Sequence, residues 1–275
     1  MSKVWFVTGA GRGFGREFTE AALSRGDKVA ATARDAAALR DLVTAHGDAV
    51  LALELDVTDK AAVFAGVDRA QEHFGRLDVV VNNAGYGLFG AVEELTEEQL
   101  RGQLETNVFG AVWVTQAALP HLRRQGSGHI VQISSIGGVA AGPLLGGYHA
   151  SKWALEGLTE SLSQEVSGLG IKVTLVEPGA FETDWIGPSA VHAQQLPVYD
   201  PVREQLAKLM ESSEAGDPAA AGKALLEIVD AENPPLRVFF GTAGNQFLPH
   251  IYADRLKTWS DWEDLSVRAQ GGKVA

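Results

Sequence analysis

The 275-residue sequence contains no cysteine, which excludes disulfide bonds, cysteine zinc sites and thiol catalysis. It also has no apolar run near the ~18 residues of a membrane-spanning helix, and the apolar start MSKVWFVTGAG is too short for a signal peptide. Basic residues are outnumbered by acidic ones, 23 to 35, so the formal net charge is −12. This charge argues against binding to nucleic acid or to an anionic membrane. We therefore expect a cytoplasmic protein with neither partner, and the histidine spacing predicts no metal site.

Short apolar runs alternate with longer segments that have helical spacing, which predicts a doubly wound α/β fold with a parallel sheet and helices on both faces. Several of the apolar runs are continuous, as in strands that are buried on both sides. The predicted strands are 4–8, 28–33, 50–54, 79–82, 129–133, 172–176 and 237–241. The predicted helices are 15–24, 36–46, 60–74, 97–124 and 151–167. The ligand crevice should lie at the carboxyl ends of the strands.

Two segments depart from this alternation. Residues 184–217 are interrupted by proline and glycine, with a possible helix at 201–212. They could form a mobile cover over the crevice or a long connection, and we favour the cover because long loops in compact domains are often functional. The C-terminal tail, 250–275, contains an amphipathic helix at 254–268 with two leucines and two tryptophans on one side. That side could pack onto its own subunit or onto a partner.

A glycine-rich segment follows the first strand directly: Thr8-Gly9-Ala10-Gly11-Arg12-Gly13-Phe14-Gly15. Glycine permits positive φ and lets the backbone approach a pyrophosphate closely. The helix that follows points free N–H groups and the positive end of its dipole at the same anion. The spacing is G-x-x-x-G-x-G, and its place between a strand and a helix predicts a nucleotide site.

The end of the second strand indicates which nucleotide is bound. An acidic residue there would bind the ribose 2′-hydroxyl of NAD, whereas a basic residue favours the 2′-phosphate of NADP. The strand ends at Ala33 and is followed by Arg34, and Arg12 of the glycine loop could approach the same phosphate. Asp35 fits the role of a helix cap better. We therefore expect NADP(H) to be preferred, with NAD(H) possible.

Tyr148 and Lys152 stand four residues apart at the start of a predicted helix, so both side chains lie on one face. A tyrosine with an ordinary pKa near ~10 is a poor acid or base at neutral pH. A nearby ammonium stabilises the phenolate and lowers the tyrosine pKa towards the working range. His149 points to a different side of the helix and is interpreted as a bystander.

These motifs occur in a fixed order: TGAGRGFG, Asn82-Asn83-Ala84-Gly85, Ser134-Ser135 and Tyr-x-x-x-Lys. In this order they resemble the short-chain dehydrogenase/reductase family over about residues 3–183. The resemblance implies a single Rossmann-like NAD(P)-binding domain over residues 1–275, a seven-stranded parallel sheet and a nicotinamide cofactor. Members are usually dimers or tetramers, so a homodimer or homotetramer is expected.

The resemblance also implies a catalytic tetrad of Asn107, Ser135, Tyr148 and Lys152. The family's serine stands 13 residues before the tyrosine, which selects Ser135 over Ser134. Tyr148 would exchange a proton with the substrate oxygen, Ser135 would hold that oxygen, Lys152 would also bind the nicotinamide ribose, and Asn107 would position a water. The implied cofactor-binding residues are Thr8, Gly9, Gly11, Arg12, Gly13, Phe14, Gly15, Arg34, Asp56, Val57, Asn83, Ala84, Gly85, Tyr148, Lys152, Pro178, Gly179 and Thr183. Gly11 departs from the family, where serine is common.

The residues expected around this site are mostly apolar and favour a small hydrophobic ketone, aldehyde or secondary alcohol as substrate. They are Leu144, Leu145, Phe181, Trp185, Tyr86 and Phe89. One alternative is a 3-ketoacyl-carrier reductase, with Arg123 and Arg124 meeting an acidic carrier, although the net charge opposes this. The other is a catalytically silent NADP sensor, which the presence of both Tyr148 and Lys152 disfavours.

Overall fold

The computed structural model describes residues 2–187, 189–211 and 214–272. Seven parallel strands form its central sheet, each close to a run predicted from the sequence. These strands are β1 (Val4–Val7), β2 (Lys28–Ala33), β3 (Val50–Glu54), β4 (Val79–Asn82), β6 (Gly128–Ile133), β7 (Ile171–Pro178) and β9 (Arg237–Phe240). Two short strands, β5 (Leu88–Phe89) and β8 (Val191–His192), pair with each other outside this sheet.

The order across the sheet is β3-β2-β1-β4-β6-β7-β9, so the chain reverses its direction of winding between β1 and β4. At such a reversal, the loops that follow two neighbouring strands turn away from each other. A crevice therefore opens at the carboxyl ends of these strands. The glycine loop leaves β1 here, and Asn83 and Ala84 leave β4. The topology therefore places the candidate site at this reversal.

Helices cover both faces of the sheet, which confirms the doubly wound fold. They are α1 (Gly13–Ser24), α2 (Arg40–His46), α3 (Lys60–Phe74), α4 (Glu97–Leu104), α5 (Ala111–Gln125), α6 (Gly146–Val166), α7 (Asp200–Glu211), α8 (Pro218–Asp230), α9 (Ala243–Asp261) and α10 (Glu263–Ala269). Alternate side chains of β1 enter two cores: Trp5 and Val7 pack with α1 and α8, and Val4 and Phe6 pack with α3, α5 and α6. Both faces of this strand are thus buried, which explains its unbroken apolar sequence.

Three helical segments before the tail differ from the sequence prediction. Residues 36–46 divide into a 3-10 turn, Ala36–Leu39, and α2, with Asp35 accepting a bond from the Ala37 amide at 2.8 Å. The predicted helix 97–124 contains a π-helical turn, Glu105–Gly110, between α4 and α5. A Cβ on Gly110 would lie 2.7 Å from Val57 Cγ2, so this turn requires glycine at position 110. The spacing of apolar residues in the sequence does not reveal that requirement. Helix α8 lies in a part of the chain where no helix was predicted.

The predicted cover and tail extend beyond the described residues: Pro188, Ser212 and Ser213 of the cover, and residues 273–275 of the tail, lie outside them. The predicted tail helix is divided between α9 and α10, which meet at Trp262. Within the described part, the four apolar side chains of this stretch are between 46% and 68% exposed. They are Leu256, Trp259, Trp262 and Leu265. Packing of this stripe onto its own subunit was therefore the wrong alternative. Among the described residues, no helix has the length and apolarity that crossing a bilayer requires.

Candidate active site

The glycine loop turns sharply between β1 and α1 because Gly9 and Gly13 adopt positive φ, +66° and +52°. Gly15 has no room for a side chain, since a Cβ there would lie 2.2 Å from the carbonyl oxygen of Gly9. Arg12 precedes α1 in an extended conformation, and no side chain caps the first turn of this helix. The loop therefore presents close backbone and an uncapped helix N-terminus, which are the features that an anion such as a pyrophosphate needs.

A second loop packs on the glycine loop through its backbone. The Thr8 hydroxyl accepts hydrogen bonds from the amides of Asn83 and Ala84, at 2.9 and 3.0 Å. The Asn83 side chain donates to the carbonyl oxygens of Thr8 and Gly9, at 3.0 and 3.3 Å. Asn83 thus holds the glycine loop in position, and Thr183 closes its other side within 4 Å of a Cβ built on Gly13.

The remaining predicted cofactor residues lie along the same edge of the sheet. Arg12, in the glycine loop, and Arg34, directly after β2, are both exposed. The Asp56 carboxylate accepts bonds from the amide and hydroxyl of Thr58, at 2.9 and 2.8 Å. The Gly179 amide donates to the carbonyl oxygen of Phe240 at 2.9 Å, which fixes the turn that follows Pro178 at the end of β7.

Changing Gly15 to alanine should weaken both the fold and cofactor binding, because the new Cβ meets the backbone of Gly9 and the side chain of Asn83. We expect a loss of about 1–3 kcal/mol in unfolding free energy and little remaining stabilisation by NADP⁺. Thermal denaturation with and without NADP⁺ measures both effects. Gly157→Ala is the matched control, because Gly157 lies within a helix with no atom near a new Cβ. A Gly15→Ala protein as responsive to NADP⁺ as the wild type would contradict this role of the loop.

The four residues of the expected tetrad meet around the start of α6. The Lys152 Nζ lies 5.8 Å from the centroid of the Tyr148 ring and donates to the carbonyl oxygen of Ile133 at 2.7 Å. A hydrogen bond from Ser135 favours the ionised form of Tyr148. Asn107 reaches the same helix through Ser151, whose hydroxyl accepts from Asn107 Nδ2 at 3.0 Å and donates to the Tyr148 carbonyl oxygen at 2.7 Å. The sequence motif thus forms one connected cluster.

Asn107 is held rigidly inside the π-helical turn. Its Oδ1 accepts from the amide of Tyr86 at 3.1 Å, and its Nδ2 donates to the carbonyl oxygen of Tyr86 at 3.1 Å. A Cβ on Gly85 would lie 3.0 Å from the same Oδ1. Both hydrogens of the Nδ2 group are therefore used, one by the loop after β4 and one by Ser151.

Burial dominates the pKa values of the central pair. Removal from water raises the pKa of Tyr148 to about 12, and the hydrogen bond from Ser135 offsets only part of this. Burial also lowers the pKa of Lys152 to about 8, and the nearby charge of Glu156 opposes that shift. The sequence-based expectation that the lysine lowers the tyrosine pKa is not what this structure gives, because burial of the phenol is the largest influence. The phenol therefore carries its proton at neutral pH.

An aromatic wall stands against Tyr148. The Trp185 ring meets the Tyr148 ring edge-on, with 5.0 Å between centroids, and lies 5.2 Å from Phe89. His192 stacks on Phe89 at 5.1 Å, brought there by the pairing of β5 with β8. The start of the predicted cover, residues 184–187, thus contacts the candidate catalytic residue directly.

Phe181 does not belong to this wall. Its ring packs edge-on against Phe14 at 4.9 Å and joins the core formed by α1 and α8. The expectation that Phe181 faces the substrate was therefore wrong, because the turn after β7 directs the ring back towards the sheet. Phe14 likewise places its ring in the core, stacked 5.5 Å from Phe18.

Sequence reasoning missed three contacts that shape the site. Ser151 joins Asn107 to α6, and it stands inside the motif Tyr-x-x-x-Lys, so its position was visible although its partner was not. Glu94 forms a buried ion pair with Arg203 and accepts from the amide of Leu196 at 2.6 Å, which ties the predicted cover to the body. The third is His149: both of its ring nitrogens bind backbone groups, so its interpretation as a bystander was wrong. In the described part of the chain, no cluster of three acidic or histidine side chains could hold a metal ion.

Comparison with known proteins agrees with this geometry. The family model described as short chain dehydrogenase matches residues 3–192. An oxidoreductase named BOA17 from Botryotinia fuckeliana is 40% identical over 275 residues, covering 97% of this chain and 99% of its own length. A 3-ketodihydrosphingosine reductase from Bacteroides thetaiotaomicron is 37% identical over 262 residues, covering 94% of this chain and 93% of its own.

Solved structures show the same fold. A short-chain dehydrogenase from Streptomyces avermitilis superposes with a TM-score of 0.92 at 42% identity, covering 98% of each chain. A 3-ketoacyl-(acyl-carrier-protein) reductase from Brucella melitensis, complexed with NADH, gives 0.75 at 26% identity and covers 86% of this chain and 96% of its own. An alcohol dehydrogenase from Thermococcus sibiricus, complexed with 5-hydroxy-NADP, gives 0.72 at 27% identity and covers 87% and 96%.

The family model thus matches most of the chain, including the glycine loop and the residues around Tyr148 and Lys152. A relative named as a reductase and two structural neighbours complexed with NADH or 5-hydroxy-NADP support an enzyme acting on CH–OH groups with NAD(P). This chain belongs to the short-chain dehydrogenase/reductase family of oxidoreductases.

Proposed function

We propose that the protein interconverts a small hydrophobic ketone or aldehyde and its alcohol, using NADP(H). The observation that carries this proposal is the buried hydroxyl of Tyr148. It stands with Ser135 and Lys152 at the carboxyl edge of the sheet and against the aromatic wall. A catalytically silent sensor has no use for a buried phenol and amine in this arrangement.

The residues of the loop fit the expected cofactor. A Cβ on Gly9 or Gly15 would be crowded by its neighbours, Gly13 adopts positive φ, and the first turn of α1 is uncapped. When bound, NADPH supplies the hydride that reduces the carbonyl carbon. The candidate holders of its 2′-phosphate are Arg12 and Arg34, since no acid stands at the tip of β2 and Asp35 is occupied by the Ala37 amide.

The chain's own residues would transfer the proton that the reduction requires. Tyr148 would donate its proton to the substrate oxygen, which is possible because burial keeps the phenol protonated at neutral pH. The Ser135 hydroxyl would hold that oxygen by a hydrogen bond. Lys152 would stabilise the phenolate and return a proton to it. Asn107 would position a water that links Lys152 to solvent, since its Oδ1 accepts one hydrogen bond, from the Tyr86 amide, and can accept a second.

The wall of Phe89, Trp185 and His192 favours an apolar group on the substrate, and the cover would be formed by the described residues of 184–217. Reduction of a carrier-bound 3-ketoacyl group fits less well. Arg123 and Arg124 end α5 just before β6 begins, so they lie at the sheet edge opposite the site. A single NAD(P)-binding domain assembled as a homodimer or homotetramer is proposed on the family resemblance alone.

The proposal is tested by measuring initial rates with NADPH and NADH side by side, against a panel of hydrophobic ketones and aldehydes and a 3-ketoacyl thioester. We expect turnover with NADPH and at least one apolar carbonyl. Turnover restricted to the thioester would select the carrier reductase. Tight NADPH binding with no turnover on any carbonyl would contradict the enzymatic proposal and favour the sensor.

Arg34→Ala should raise the KM for NADPH by about 10-fold or more, because a charge-assisted contact to phosphate contributes roughly 1.5–3 kcal/mol. The KM for NADH should change little, since NADH has no 2′-phosphate. Arg40→Ala is a matched control, because Arg40 is an exposed arginine at the start of the nearby α2. Unchanged selectivity between the two cofactors in Arg34→Ala would contradict the assignment of Arg34.

A further inference from the structure

The segment between Ser135 and Tyr148 carries one candidate catalytic residue at each end. It begins with a short 3-10 turn, Ile136–Gly138, in which the Ser135 Oγ accepts from the Gly137 amide at 3.0 Å. It then crosses the exposed residues 141–143 and returns through Leu144, whose φ is +64°. Positive φ is costly for a leucine, so this path must be maintained by contacts with its surroundings.

His149, the first residue after Tyr148, makes two of those contacts. Its ring is buried, and Nδ1 lies 3.0 Å from the carbonyl oxygen of Gly137. The amide of Gly142 donates to Nε2 at 3.1 Å. A carbonyl oxygen can only accept, so Nδ1 carries the hydrogen and Nε2 is the acceptor. One imidazole therefore joins both sides of the loop to the helix that carries Tyr148.

We propose that neutral His149 is a positioning residue, which holds the segment after Ser135 against α6 and so keeps the Ser135 hydroxyl aligned with Tyr148. This inference rests on the proposed roles of Ser135 and Tyr148. The imidazole is 5.9 Å from the Tyr148 ring, and a Cβ built on Gly137 would lie 2.6 Å from its Nδ1 and 3.3 Å from Ser135 Oγ. A shift of this turn would therefore move the serine hydroxyl with it.

The other hydrogen bonds to this loop hold its two ends, so the position of its middle depends on His149. The carbonyl oxygen of Val139 accepts from the Arg255 guanidinium at 3.1 Å, and that of Leu144 accepts from the Gly90 amide at 2.8 Å. Both of these bonds lie outside residues 140–143, and the Ala140 amide bonds within the loop itself, to the carbonyl oxygen of Ile136 at 3.0 Å. The bond to Nε2 is thus the contact that fixes Gly142 at the exposed turn of the loop.

Protonation would release this contact, because an imidazolium has a hydrogen on Nε2 and cannot accept from the Gly142 amide. Burial lowers the pKa of His149 below its ordinary 6.5, so the histidine is neutral at pH 7 and gains its proton only in acid. The charged or titratable groups around the loop are Tyr148 on α6, Glu156, which lies against Gly138, and Arg255 on α9. The alignment should accordingly be lost as the pH falls below 6.5 towards the lowered pKa.

The test compares His149→Leu, which removes both hydrogen bonds, with His149→Gln, whose side chain can accept from the Gly142 amide but does not titrate. For His149→Leu we expect kcat to fall about 10-fold to 100-fold while the Kd of NADPH is unchanged. His149→Gln should recover most of this loss and should lack the acidic limb of the wild-type kcat profile. Amide hydrogen exchange of residues 139–145 should be faster in His149→Leu than in the wild type, and this readout needs no substrate.

His129→Asn is the control for a merely structural effect. His129 is also buried, but it bonds to Thr174 Oγ1 at 2.9 Å within the sheet, away from the loop. This variant should lose thermal stability and keep its pH profile. Unchanged exchange at 139–145 in His149→Leu, or an acidic limb that persists in His149→Gln, would overturn the proposal. If the wild type reduces no carbonyl, the proposed function fails, and the exchange measurement alone still decides whether His149 holds the loop.

Discussion

Replacing Tyr148 by phenylalanine should lower kcat by about 10²–10⁴-fold, the usual contribution of a general acid, while NADPH still raises the melting temperature. The substitution removes one oxygen and leaves the ring between Trp185 and His149. Packing is therefore preserved, and the expected loss falls on proton transfer. A raised pKa of about 12 means that the wild-type phenol has its proton available throughout the neutral range.

Steady-state kinetics and thermal shift with NADPH measure these two effects separately. Tyr252→Phe is the matched control, because Tyr252 is an exposed tyrosine on α9. It should keep both kcat and the response to NADPH. Turnover within a few-fold of wild type in Tyr148→Phe would remove Tyr148 as the proton donor.

Replacing Lys152 by methionine should lower kcat by about 10²–10³-fold, the cost of removing one preorganised electrostatic contact. The same change should stabilise the free protein, because burial holds the Lys152 pKa at about 8, below the ordinary 10.5. At pH 7, which is below this pKa, the folded Lys152 still carries its charge, and holding that charge in the buried site costs free energy. Allowing for the lost bond to the Ile133 carbonyl oxygen, we expect a gain of about 1–3 kcal/mol in unfolding free energy.

The pH dependence identifies the source of this gain. Between pH 8 and 10.5 the unfolded lysine binds more protons than the folded one, so wild-type stability rises with pH relative to the variant. The difference should be largest below pH 8 and should shrink towards pH 10.5. Urea denaturation across this range measures it, with the exposed Lys257→Met as control. A methionine variant that is less stable at pH 7, or a gap independent of pH, would contradict the effect of burial.

The central sheet was predictable because its strands are short and buried on both faces. An unbroken apolar run such as the one containing Trp5 and Phe6 is typical of a strand covered by helices on either side. Helix α8, which packs against α1, was missed because its small and apolar residues directly follow a segment interrupted by proline and glycine. The π-helical turn at Asn107 depends on the fit of Gly110 against Val57, which only the folded chain reveals.

The grouping of the candidate site residues was predictable from motif order, whereas their pKa values were not. Spacing placed Tyr148 and Lys152 on one helix face, as the 5.8 Å separation of Nζ and ring centroid shows. The depth of burial, which controls both pKa values, arises from Trp185 and the loop after β6, elements distant in sequence. The hydrogen bonds of His149 could not be predicted from the sequence either, because its partners Gly137 and Gly142 approach it only when the loop folds back.

The most direct test of the proposed chemistry uses NADPH that carries two deuterium atoms at C4 of the nicotinamide. The label is followed into the alcohol formed from a ketone that the wild type reduces. We expect an alcohol with one deuterium on the former carbonyl carbon for each NADPH oxidised, and almost no product from a Tyr148→Phe protein that still binds the cofactor. NADPH consumption without deuterium in the alcohol, or equal labelling rates in the two proteins, would contradict hydride transfer with Tyr148 as the proton donor.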